Sequence, residues 1–207
     1  MRRREALILG LGFAVAQLRV TPAFADENAL NYRGFTVNTS IIGGADNTAA
    51  VLESLRHQID IVADCGMKPD ILTFFRNRHI TLRHIKGDEP GCFAVGKGVM
   101  IDAEPQSTEK PILLHEFLHA YHFLAMPEGI ENPDVLHYYR IAKNDHLYRM
   151  EKPGDLYLLK NPKEFFAVTG SCYLWGTVDR QPYTRERLKE KQPYYTAWLG
   201  RLFGVEK

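Results

Sequence analysis

The 207 residues include 26 Lys and Arg against 25 Asp and Glu, with 45% hydrophobic and 25% charged side chains. This composition is too apolar for a disordered chain. It also lacks the basic excess from which a nucleic-acid binder draws affinity for phosphate, so no nucleic-acid partner is expected. The length suits one domain with a core of its own.

The first residues carry three signals in series. Arg2, Arg3 and Arg4 precede the apolar stretch from Ala6 to Ala16, and Ala23-Phe24-Ala25 follows as a small-x-small pattern. Together they make 1-25 a secretory signal peptide cleaved near Ala25, with a mature domain over 26-207 that is secreted or periplasmic. The apolar stretch is too short to span a bilayer, which takes about 20 helical residues, so no stable membrane insertion is expected after cleavage. Four of the 26 basic and one of the 25 acidic side chains lie in this segment, which leaves the mature chain 22 and 24 and a net charge of −2. Cys65, Cys92 and Cys172 form an odd set bound for a disulfide-permissive compartment. Cys65 with Cys92 is the pairing favoured if a bridge exists.

In chain order, Asp26 to Leu30 reads as loose and Tyr32 to Ile41 alternates as a strand. Asp46 or Asn47 is placed to cap a helix running to about Ala63, closed by Gly66. A loop at Met67 to Asp70 leads to a strand over His79 to Ile85. Cys92 to Val95 and Val99 to Asp102 form a hairpin around Gly96-Lys97-Gly98. Pro111 opens a helix to about Ala125. Asn132-Pro133 opens another through Arg149, and Asn161-Pro162 a third to about Leu174. Helices over Arg185 to Lys191 and Pro193 to Phe203 finish the chain. Strands first and helices second predict an α+β fold.

Residues 115 to 119 read HEFLH in the most apolar of these helices. Four residues along a helix return to the same face, so His115 and His119 are spaced to hold one metal ion while Glu116 stands beside it. Two neutral imidazoles and an open position suit Zn2+, whose bound water has a pKa of about 7. Glu116 is then the candidate general base for that water.

A third ligand must come from elsewhere. A metzincin continuation needs Gly and His where His122 and Ala125 stand, so that class is excluded. Gly176-Thr177-Val178-Asp179 carries an aspartate one residue early for an aspzincin pattern and is discounted. Glu164 in Asn161 to Ala167 (NPKEFFA) remains, lying beside two phenylalanines. It is either a metal ligand or a carboxylate favoured by the start of a helix.

HEFLH, NPKEFFA and the step of 45 positions from His119 to Glu164 resemble the gluzincin-type zinc metallopeptidases typified by the anthrax lethal factor catalytic domain. Tyr157, seven residues before Glu164, stands where that family has a tyrosine beside the zinc. The resemblance covers the second half of the chain at motif level. It implies a zincin-like fold, with a small N-terminal mixed sheet, an edge hairpin, an active-site helix and a C-terminal helical half. It further implies His115, His119 and Glu164 as zinc ligands, Glu116 as base and Tyr157 as donor to the developing oxyanion. Two positions depart from the family: Leu118 where a glycine is familiar, and Val168 in place of a second acidic residue. Substrate preference is therefore not carried over. Zincin-like enzymes hold extended substrates along an edge strand, which the hairpin offers.

Other residues stay open. His122 is a group near the metal or substrate, or a satisfied histidine on the helix flank. His137, Tyr138 and Tyr139 line the cleft or pack in the core. His57, His79, His84 and His146 are read as structural. The leading function is an exported zinc metallopeptidase acting on a peptide or protein substrate. The alternatives are a zinc hydrolase of cell-wall peptides and a catalytically inactive, zinc-stabilised binding protein.

Overall fold

A computed structural model of the chain describes residues 28–84 and 89–207. The signal segment and Ile85 lie outside the described residues. The fold is α+β: a small mixed sheet of five strands, with seven α-helices among the described residues.

The strand predicted over Tyr32 to Ile41 is shorter, Phe35–Asn38, and Ala29 and Leu30, read as loose, belong to a strand before it. Strands β1 (Ala29–Tyr32) and β2 (Phe35–Asn38) pair antiparallel, with Tyr32 opposite Phe35. Arg33 and Gly34 between them have φ of 51° and 83°, the positive values that a tight two-residue hairpin turn needs. An arginine is an unusual tenant there. Its guanidinium reaches Asp60 at 2.7 Å and Asp64 at 2.5 Å on helix α1 (Thr48–Asp64), so the turn is tied to the helix. Asn47 occupies the position before α1, but its side chain makes no capping hydrogen bond. Gly66 ends the helix at φ 83° as expected. An unanticipated short helix, α2 (Pro69–Arg76), follows, with proline in its first turn.

Strands β3 (Ile80–Arg83), β4 (Gly91–Ala94) and β5 (Gly98–Asp102) complete a sheet of order β1-β2-β3-β5-β4. β2, β3 and β5 run parallel, while β4 returns antiparallel to β5 with Cys92 opposite Met100. Of the predicted hairpin, β4 is thus the sheet edge and β5 is interior. Phe35, Val37, Ile80, Leu82, Val99 and Ile101 alternate onto one buried face. Against it packs helix α3 (Ile112–Leu124), whose Phe117 ring stacks on Phe75 at 4.8 Å.

Helices α4 (Pro133–Asn144), α5 (Pro162–Trp175), α6 (Arg185–Lys191) and α7 (Pro193–Phe203) form the second half. α4 stops five residues short of the predicted Arg149. Cys65, Cys92 and Cys172 are all free, and the favoured Cys65–Cys92 bridge is not formed. Cys65 is buried at the end of α1, whereas Cys92 lies on the edge strand. No helix among the described residues is long and apolar enough to cross a membrane.

Candidate metal centre

The start of α3 is set by α1. Pro111 brings no side-chain cap, and the buried Gln58 serves instead: its Oε1 accepts from the Leu113 N–H at 3.1 Å, while its Nε2 donates to the Ser107 and Lys110 carbonyls. One amide thus satisfies an orphan N–H of the helix entry and two carbonyls of the loop before it. α5 opens as its sequence suggests, with the Asn161 side chain accepting from the Lys163 and Glu164 N–H groups at 3.0 Å. The two helices then meet closely. Leu118, fully buried, faces Gly170 of α5, where an added Cβ would stand 3.0 Å from a Leu118 methyl. The bulk added between the two histidines is accommodated by a glycine on the opposing helix.

This packing brings His115, His119 and Glu164 together. The two Nε2 atoms are 3.0 Å apart, and Glu164 Oε2 lies 3.4 Å from His115 Nε2 and 3.2 Å from His119 Nε2. Ligands at 2.0–2.1 Å from a tetrahedral ion stand about 3.3 Å apart, so the triangle has the dimensions of three corners of such a site. Glu164 Oε2 is buried with no hydrogen-bond partner, an orphan acceptor that a cation would satisfy. Among the described residues, no other group of three His, Cys, Asp or Glu side chains is placed to share an ion.

The charges respond to this closeness. Burial works against ionisation of Glu164, but the imidazoles of His115 and His119 beside it outweigh that and hold its carboxyl far below the usual range. Burial likewise works against protonation of His115, yet Glu164 and Glu116 hold its pKa above the ordinary value. Glu116 is 7% exposed, and burial pushes its carboxyl up against the pull of the two histidines. Gly91, the first residue of β4, lies against it: a Cβ there would come within 2.9 Å of Glu116 Cγ. A glycine at that point leaves the carboxylate its room.

Two cavities open on His115 and Glu116. One, of about 310 Å³, runs between the edge strand at Gly91, Cys92 and Phe93 and the ligand side chains, and it also takes in Tyr157. The other, of about 120 Å³, is bounded by Ile112, Val168, Ser171, Val178 and Arg180. Val168 therefore gives the smaller cavity an apolar wall. The edge strand is held by Arg83 of β3, which pairs with buried Asp102 at 2.5 Å and donates to Cys92 Sγ and the Glu89 carbonyl. Burial pushes the Cys92 thiol up despite that guanidinium.

Tyr157 sits in a 3-10 turn over Asp155–Leu159, and its hydroxyl is held above the usual range by burial and by Glu164. His122 is buried on the same side of α3, one turn beyond His119 and bordering the larger cavity, its ring 4.9 Å from that of Phe166 and both nitrogens unpartnered. Burial, with His119 and Lys163 nearby, lowers its pKa to about 4, so it is neutral at pH 7. Tyr138 and Tyr139 belong to the aromatic packing around Tyr195 and Phe165, with the Tyr139 hydroxyl donating to the Leu159 carbonyl. His137 packs edge-on against Tyr138. His57 has the structural role expected, bonding the Thr108 carbonyl at 2.9 Å. Asp179 pairs with Lys110 at 2.9 Å and takes no place among the converging ligands. Gly91, Gly170 and Arg180 carry no local sequence signal for a place here. Each is identified by what approaches it from a distant part of the chain. No protein-family model, curated protein or solved structure matches the chain.

Proposed function

We propose that the chain is an exported zinc metallopeptidase of zincin-like, gluzincin type that hydrolyses peptide bonds with Glu116 as general base. The reading is carried by one observation: His115 Nε2, His119 Nε2 and Glu164 Oε2 converge within 3.4 Å, while the neighbouring Glu116 stays outside the triangle and borders both cavities. A bound zinc ion supplies a Lewis acid for the carbonyl and a water more acidic than bulk. Glu116 takes a proton from the attacking water and passes it to the leaving amine. Its raised pKa brings it closer to the working pH of such a base. Tyr157 donates a hydrogen bond to the carbonyl oxygen as negative charge gathers there. An extended peptide adds to the free edge of β4, with Phe93, Val95 and Phe123 offering apolar surface to its side chains. Export rests on residues 1-25, and the partner is a peptide or protein substrate rather than a nucleic acid.

The test is Glu116→Gln in the zinc-loaded protein, assayed on a broad fluorogenic peptide library. Zinc stoichiometry is expected to match the wild type while kcat falls by about 10²–10⁴. Unchanged cleavage removes Glu116 from the mechanism. A zinc-loaded wild type that cleaves nothing favours the binding-protein reading, and cleavage confined to cell-wall peptide stems favours the narrower hydrolase.

A further inference from the structure

Tyr157 reaches the larger cavity from a turn that is anchored in the core by the fully buried Leu158, with Leu156 and Leu159 packed beside it. A second tie comes from a loop over 20 residues further on. The loop between α5 and α6 is closed by a bridge between Thr177 and Thr184. From it, Tyr183 donates to Asp155 Oδ1 at 2.6 Å and Gln181 Nε2 donates to the Arg149 carbonyl at 3.0 Å. Asp155 is fully buried and also accepts from the Glu151 and Lys152 N–H groups at 2.7 Å. The tyrosine turn and this loop are thus joined around one carboxylate.

Arg180 stands at the tip of that loop, with its Cζ 4.2 Å from the centre of the Tyr157 ring. Arg33, Arg83 and Arg187, which also brace this fold, are hydrogen-bonded to carboxylates. Arg180 has only looser ion pairs, with Glu89 at 3.7 Å and Asp179 at 3.8 Å, and makes no guanidinium hydrogen bond among the described residues. Its guanidinium lies over the aromatic face as well, and a planar cation over a phenol ring fixes that ring in a way a flexible ammonium does not. Lys160 Nζ, 5.2 Å from the same ring, is the more distant cation.

We propose that Arg180 is a positioning residue for Tyr157, its guanidinium stacked on the phenol so that the hydroxyl is held toward the cavity beside Glu164. The proposal rests on the reading of Tyr157 as the donor to substrate oxygen. It adds a residue on which the HEFLH and NPKEFFA motifs are silent.

The test is a double-mutant cycle on acetohydroxamate affinity in the zinc-loaded protein, a readout that needs no turnover. Tyr157→Phe is expected to weaken binding about tenfold by removing one hydrogen bond to a charged oxygen, and Arg180→Gln to weaken it similarly. The double variant is then no weaker than Tyr157→Phe alone. Arg180→Lys keeps the charge, loses the plane and remains as weak as Arg180→Gln. Zinc content and thermal midpoint of each variant check the fold. Additive losses, full rescue by lysine, wild-type affinity in Arg180→Gln, or no hydroxamate binding to the zinc-loaded wild type each overturn the proposal. A coupled cycle in a protein that cleaves no peptide leaves Arg180 in place and removes the peptidase reading. An additive cycle in an active peptidase does the reverse.

Discussion

The candidate metal ligands and the candidate oxyanion donor are anchored in different ways. His115, His119 and Glu164 project from two helices locked by apolar packing, with Leu118 against Gly170 and Phe117 on Phe75. Tyr157 projects from a short turn that buries Leu158 in the core and is tied beyond it by polar contacts: the Asp155 carboxylate, the Tyr183 hydroxyl and the Arg180 stack. Dense packing between the two helices resists change in the distances among the three side chains. The polar ties of the turn are the part of its anchorage that single substitutions remove one at a time.

Substitutions separate the two regions, and the largest effect belongs to the packed one. Glu164→Ala is expected to lower zinc affinity by roughly three orders of magnitude or more, since each of three ligands carries a large share of the binding free energy. Competition against a fluorescent chelator measures it, and near-wild-type affinity would show that the triangle does not hold the ion. Next comes acidity. His122 has a folded pKa of about 4, below its unfolded value of about 6.5, so burying the neutral ring contributes stability that is complete above pH 6.5 and lost as pH falls toward 4. The loss amounts to about 3 kcal/mol. Urea unfolding of the chelator-treated protein, compared with His122→Leu at each pH, is expected to show that difference, and a pH-independent gap between the two would contradict it. The smallest effect lies in the polar region. Tyr183→Phe deletes one hydrogen bond to a buried carboxylate and is expected to cost about 1.5–3 kcal/mol of stability and a few-fold in kcat, with zinc affinity unchanged. A drop in zinc affinity would merge the two regions into one.

The same contrast explains which parts of the molecule are legible in the chain. α3, α5 and α7 follow from apolar periodicity and from Asn-Pro or Pro starts, because those signals are local. The convergence of Glu164 on the histidines rests on spacing and resemblance, and the helix packing accounts for it. The Arg33-Gly34 turn escapes notice because arginine is an improbable residue at positive φ, made tolerable here by Asp60 and Asp64 far along the chain. α2 escapes because eight residues give too little periodicity. The cysteine pairing fails because nothing in the spacing shows that Cys65 closes a helix and Cys92 an edge strand. Arg180 and Gly91 act through tertiary approach, for which no local pattern exists.

The contact between Leu118 and Gly170 has a consequence for recognising such chains. The space needed where two ligand-bearing helices cross belongs to the pair, and either helix can supply the missing side chain. Here the space lies opposite Leu118, at a glycine six residues beyond Glu164. A motif search that demands a small residue between the histidines discards chains of this kind, whereas one that accepts a bulky residue there in exchange for a glycine downstream retains them.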